Sequence, residues 1–130
     1  MGIPRGALGR LGERAAAAEA ERRGWNVEAR NVRLAGGEID LVALDGRTVV
    51  FVEVKARASG RYGSGAAAVT PVKMKRIANA ALAFLQRRHW TDRPCRGDVC
   101  VVGWRTGGDG SDDVLTLDWR VGAMPLGEFV

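Results

Sequence analysis

The sequence predicts a single α/β domain whose elements run helix, three strands, helix, two strands. Three observations carry that expectation. Two stretches, one over residues 8–23 and one beginning at Thr70, repeat their apolar positions at helical spacing. Asp45 and Gly46 separate two apolar runs, the strongest hairpin signal a short stretch of sequence offers. Residues 99–102 form a near-continuous apolar run, as a strand covered on both faces does. With 130 residues, 46% of them hydrophobic and 27% charged, the chain can build one core without disulfides or a metal to staple it.

In the first helix Leu8, Leu11, Ala15 and Ala18 share one face, and Glu13 lies with Ala16, Ala17 and Ala20 on the other. Both faces can contact protein, so Glu13 need not be solvated; Gly24 stops the helix. Extended segments follow at 26–34, 38–44 and 48–55, the first two separated by Ala35-Gly36-Gly37. The glycine-rich loop "ASGRYGSGAAA" then leads to the second helix, with Thr70 as N-cap and Pro71 in the first turn. Its apolar stripe is Met74, Ile77, Ala81, Leu82 and Leu85, while Lys73, Lys75, Arg76, Arg87 and Arg88 lie mostly off that stripe. After the 99–102 strand comes "TGGDGSDD", and then a strand over 114–121. There Leu115, Leu117, Trp119 and Val121 alternate with Thr116, Asp118 and Arg120, which leaves one wet face. The domain is expected to span 1–122, with 123–130 a loose tail.

A net charge of +5 and a pI near 10.0 favour a polyanionic partner, through release of its condensed counterions. Of the 20 basic residues 17 are arginine, and lysine is kept only at 55, 73 and 75. Each lysine is thus a candidate for chemistry that a planar, always-protonated guanidinium cannot perform. Two cysteines and a single histidine, His89, do not assemble a four-ligand zinc site, and Cys100 reads as a core residue. The N-terminal stretch mixes charges with alanines and lacks the apolar core of a signal peptide, and no later run is long enough to span a membrane. A cytoplasmic protein with no membrane partner is expected.

Chemistry concentrates in "VVFVEVKAR", where Glu53 and Lys55 are threaded into the end of a buried strand. Charges in such a place are costly unless paired or engaged with a metal. If the hairpin turns on Asp45 and Gly46, Leu44 meets Arg47, Asp40 meets Phe51 and Glu38 meets Glu53. Alternation then sends Glu38, Asp40, Phe51, Glu53 and Lys55 to one face. Asp40 and Glu53 become diagonal neighbours, their Cβ atoms about 7–8 Å apart, and can share a hard divalent ion such as Mg²⁺. Lys55, two residues on, can reach a metal-bound water or a phosphate oxygen. The reaction best served is attack of a metal-activated water on a phosphodiester, which needs no Ser, Cys or His nucleophile. The plainer alternative makes Glu53 and Lys55 strand-end charges salt-bridged to Glu38 or Asp40. Glu38 has no fixed role.

"GEIDLVALDGRTVVFVEVKAR", with "GERAAAAEAERRGW" before it and "VTPVKMKRIANAALAFL" after it, resembles the YraN family of small bacterial proteins. That family is in turn similar to archaeal Holliday junction resolvases and the wider restriction-endonuclease-like nucleases. The resemblance covers roughly residues 9–102. It implies a restriction-endonuclease-like mixed β-sheet flanked by helices, with Asp40 and Glu53 as ligands of Mg²⁺ (or Mn²⁺) and Lys55 as the catalytic lysine. It also implies that Glu13 is a further acidic residue and that the Val54 backbone carbonyl is a ligand. On the residues alone, Glu13 reads equally as a helix charge paired with Arg10 or Arg14. Gly97, in "RGDVCVV", departs from the aromatic the family tends to have before the aspartate.

The implied activity is a Mg²⁺-dependent endonuclease on DNA, branched or structured, with RNA left open. Junction-cutting relatives imply a homodimer. Arg57, Arg61 and Tyr62, just past Lys55, and Lys73 on the second helix are candidates for the sugar-phosphate backbone, against the alternative of an exposed linker and a solvated helix face. A rival reading keeps the fold and the basic surface without catalysis, as a nucleic-acid-binding adaptor.

Overall fold

The computed structural model describes residues 5–57, 67–105 and 114–126. Its elements are α1 (Arg5–Arg22), β1 (Asn26–Leu34), β2 (Gly37–Asp45), β3 (Thr48–Arg57), α2 (Pro71–Arg88), β4 (Cys95–Arg105) and β5 (Val114–Met124). This is the predicted order. The strands form one sheet in the order β1-β2-β3-β4-β5. Its pairs are antiparallel except β3 with β4, and α2 supplies the crossover that a parallel pair requires. The chain is therefore α/β, a mixed sheet flanked by helices.

β3 is covered on both sides, which is why its sequence is a run of apolar residues rather than an alternation. Val49 and Phe51 pack towards α2, with Ile39, Val42, Val99 and Val101. Val50 and Val52 pack towards α1, with Leu41, Ala43, Cys100 and Val102. The α1 side of this second core is thin, made by Ala16, Ala17 and Ala20, so the helix backbone lies close on the sheet.

α2 starts as predicted. Thr70 is extended (φ −63°, ψ 152°) and its hydroxyl accepts from the Lys73 amide at 3.2 Å, with Pro71 next. The buried stripe is Met74, Ile77, Ala78, Ala80, Ala81, Phe84 and Leu85. Leu82, expected on that stripe, is 37% exposed, because each helical residue turns about 100° and position 82 lies past the edge that Ala78 defines. Phe84 takes the place instead, edge-to-face on Phe51 with centroids 6.1 Å apart.

The expected loose tail is corrected for residues 123–126. β5 continues to Met124, and Met124 and Leu126 are each only 2% exposed. The reason is Gly97: a Cβ there would meet Met124 Cβ at 2.7 Å and Leu126 Cγ at 2.9 Å, so the missing side chain is the space into which the C-terminal segment packs.

The hairpin register also differs. Asp45 pairs with Thr48, so Gly46 and Arg47 form the turn, and Val42 rather than Asp40 stands opposite Phe51. Gly46 occupies the first turn position with φ +60°, which a two-residue turn of the II′ type demands. A slip of two leaves each residue on its original face. The further expectation of one shared face fails in β2, where Ile39 and Val42 both face α2 while Leu41 and Ala43 face α1. The alternation is interrupted at Asp40. In β1 the same break falls at Asn31, whose φ is +51°, between Arg30, paired to Leu41, and Val32, paired to Ile39.

Candidate functional site

The β2–β3 ladder ends at Leu41 and Val52. One step beyond, Asp40 and Glu53 come level, and the strand carbonyl that would have continued the ladder is replaced by a side chain: the Val54 amide donates to Asp40 Oδ2 at 2.8 Å. The kink in β2 thereby turns Asp40 into the gap between the strands. Glu53 is 5% exposed, and Lys73, reaching over from the first turn of α2, donates to its Oε1 at 2.8 Å.

Burial pushes the Asp40 carboxyl up to about 7, the Glu53 charge adds to that, and Glu13 contributes further in the same direction. The Val54 amide and the Lys73 ammonium oppose the rise. Asp40 is therefore a desolvated acid between like charges, with one hydrogen bond to hold its ionised form. Glu13 reaches it because α1 packs tightly on the end of β3: a Cβ at Gly12 would sit 3.3 Å from Ala56 Cβ and 3.5 Å from Val54 Cγ1.

Lys55 Nζ donates to the Ala68 carbonyl. Burial first, and then the Arg57 charge, draw its pKa below the usual lysine value, with Glu53 opposing. Arg57 is exposed, and its guanidinium contact is the carbonyl of neighbouring Ala56, at 3.4 Å. Arg61 and Tyr62 lie outside the described residues. Lys73, expected on a phosphate, stands on Glu53. Val54, expected to offer its carbonyl, borders the site, where its amide bonds Asp40. The structure thus brings together Asp40, Glu53 and Lys73, sets Glu13 within electrostatic reach, and places Lys55 two residues along β3. That Lys73 would become the counter-ion of Glu53 was missed; the signal available was a retained lysine in a first helical turn.

Among the described residues, no group of three or more His, Cys, Asp or Glu side chains forms a ready metal cage. What the site offers is a pair of hard carboxylates, of which Glu53 is bonded by Lys73 and Asp40 by a backbone amide alone. This suits Mg²⁺ or Mn²⁺, which take one or two carboxylates and keep several waters. It does not suit zinc, whose soft donors lie elsewhere: Cys100 is in the α1-side core, its thiol pushed up to about 12 by burial, and His89 caps the far end of α2.

A second buried carboxylate, Asp98, is of a different kind. Arg96 Nε donates to it at 3.1 Å, Trp119 Nε1 at 2.9 Å and the Gly122 amide at 2.8 Å. Its oxygens are engaged in tying β4 to the bend of β5.

Residues 12–102 match the family model described as "Uncharacterised protein family UPF0102". A UPF0102 protein of Geobacter metallireducens is 46% identical over 102 residues, covering 78% of this chain and 84% of the relative. Another, of Geobacter sulfurreducens, is 48% identical over 95 residues, 73% of this chain and 74% of the relative. A third, of Herminiimonas arsenicoxydans, is 46% identical over 117 residues, 90% and 86% of the two chains. With Asp40, Glu53, Lys55 and Lys73 all inside the matched span, the chain belongs to the UPF0102 family, the YraN family that its motifs resemble.

Proposed function

We propose that this protein is a Mg²⁺-dependent endonuclease that hydrolyses phosphodiester bonds in DNA, with branched or structured DNA as its substrate. The observation that carries the reading is the Asp40–Glu53 pair, two desolvated acids brought level where two strands part. Like charges held together in low dielectric are compensated by a proton or by a cation, and Lys73 bonds Glu53 but not Asp40. Asp40 and Glu53 would hold that ion, which when bound supplies an acidified water and neutralises charge on the phosphoryl oxygens.

The protein's own groups set the rest. The Val54 amide fixes the Asp40 carboxylate in one orientation. Lys55, depressed below an ordinary lysine, stands beside Glu53 along the strand and can lodge a proton or meet the charge that builds on phosphate. Lys73 bonds Glu53, and with an ion held by the two acids its ammonium would be free to face the substrate. The excess of basic residues draws the polyanion in, and a homodimer would present two sites to two strands.

One observation favours a second reading, a DNA-binding adaptor of the same fold. Lys73 already compensates Glu53, and no third acid completes a cage among the described residues. A cleavage panel of single-stranded, duplex, flapped and four-way DNA, with an RNA arm, in Mg²⁺ or Mn²⁺ separates the two. Cutting by the wild type that disappears in Asp40→Asn and Glu53→Gln supports the nuclease. Cutting that persists undiminished in either variant rejects this site, and binding without cutting on every substrate assigns the adaptor.

A further inference from the structure

We propose, resting on the reading above, that the cleft between the β1–β2 turn and the start of α2 is a second phosphate subsite. It takes the phosphodiester that flanks the scissile one, with Arg33 and Arg76 as its cationic walls. The cleft encloses about 660 Å³, within the size range of sites that accept a discrete ligand group. Its charged lining is Arg33, Lys73 and Arg76 against a single acid, Glu38, over an apolar floor that includes Leu34 and Ile77. Lys73 lines the cleft and links it to the acidic pair, since its ammonium bonds Glu53. A group seated in the cleft is therefore next to the candidate metal ligands.

Tight packing fixes this geometry. A Cβ on Gly37 would overlap the Arg76 carbonyl and come 3.2 Å from Ala80 Cβ, so the turn backbone lies directly on α2 and the two arginines are held on facing elements. Neither guanidinium is engaged elsewhere to any depth. Arg33 approaches Glu38 at 3.8 Å, with the arginine largely and the glutamate about half in water, a pairing that screening leaves weak. Arg76 has no ion-pair partner among the described residues, whereas Lys73 and Arg88 of the same helix both do. Two planar forks suit phosphate oxygens better than a point charge does. The first turn of α2 contains no acid to oppose an anion. The apolar floor suits the sugar face that accompanies a phosphodiester and that a bare anion lacks.

The test is DNA-oligonucleotide binding in chelator across a salt series. It compares the wild type with Arg33→Gln/Arg76→Gln, with Lys75→Gln/Arg87→Gln, which removes equal charge outside the cleft, and with Glu38→Gln. All these side chains are solvent-exposed, so folding is not at issue. The cleft pair should weaken binding about tenfold or more and lower the log–log salt slope by about 1–2. The control pair should change affinity less than about threefold, and Glu38→Gln should tighten it. In Mg²⁺ the cleft pair should raise KM and leave kcat little changed. Equal losses in the two double variants, or no binding by the wild type, would overturn the subsite. A free mononucleotide that binds as tightly as the strand, and equally dependent on the two arginines, would make this a nucleotide pocket and overturn the strand assignment. Cleft-dependent binding without cleavage would reject the nuclease reading and leave the subsite standing.

Discussion

Asp40 and Asp98 are both buried acids, and their partners separate their roles. Asp98 receives a guanidinium, an indole N–H and a backbone amide, whereas Asp40 receives one amide and faces Glu53 and Glu13. The Asp40 imbalance makes a pH prediction. Its folded-state pKa of about 7 lies above the ordinary 3.8, so between those values the folded protein binds more protons than the unfolded chain. Stability must then fall as pH rises through that window. In chelator, urea unfolding should show a loss of the order of 3 kcal/mol between pH 5 and pH 8, at about 1.4 kcal/mol per unit. Asp40→Asn should flatten that dependence, and millimolar Mg²⁺ should restore stability at pH 8 in the wild type. A profile unchanged by Asp40→Asn would deny the desolvated acid.

At the scale of elements, the site is a product of two small departures from regularity. The break in β2 and the left-handed Asn31 opposite it let Asp40 drop into the gap, and Gly37 seats the β1–β2 turn on α2 so that Lys73 reaches Glu53. Gly37→Ala forces a methyl into the Arg76 carbonyl, an overlap with backbone that no rotamer change relieves. It should destabilise the protein by about 2 kcal/mol and weaken DNA binding through the cleft, read by denaturant midpoint and by the same oligonucleotide titration. The bounds of β1, β2 and β3 were visible beforehand to within two residues, because "LDGR" and the apolar runs are local signals, whereas β4 extends well past both ends of the 99–102 run and β5 runs on to Met124. The interruption at Asp40 was not. Nothing in "GEIDLVAL" distinguishes a regular strand from a kinked one, since the kink is set jointly with β1.

For the whole molecule, the C-terminal segment closes the α2-side core against Gly97. Leu126→Ala should cost about 3 kcal/mol, as for other fully buried leucines, whereas Leu82→Ala, on the exposed shoulder of α2, should cost less than about 1 kcal/mol. Equal effects in chemical denaturation would contradict the packing. The sequence missed this closure because an isolated Met and Leu after a glycine carry no period, and their burial depends on a void in a strand more than twenty positions away. Among the described residues no helix is long and apolar enough to cross a membrane, and both helices are used in covering the sheet.

Read unaided, the chain determined its element order, its α/β class, the acids and lysines worth testing, and its likeness to a family that the comparisons bear out. Those features are written in local periodicity, turn residues and a compact motif. Only the tertiary structure decided that Asp40 stands level with Glu53, that Lys73 is the cation on Glu53, and that Arg33 and Arg76 line one cleft. Each of those depends on register or on contact between elements distant in sequence, where a shift of one residue changes which side chains meet.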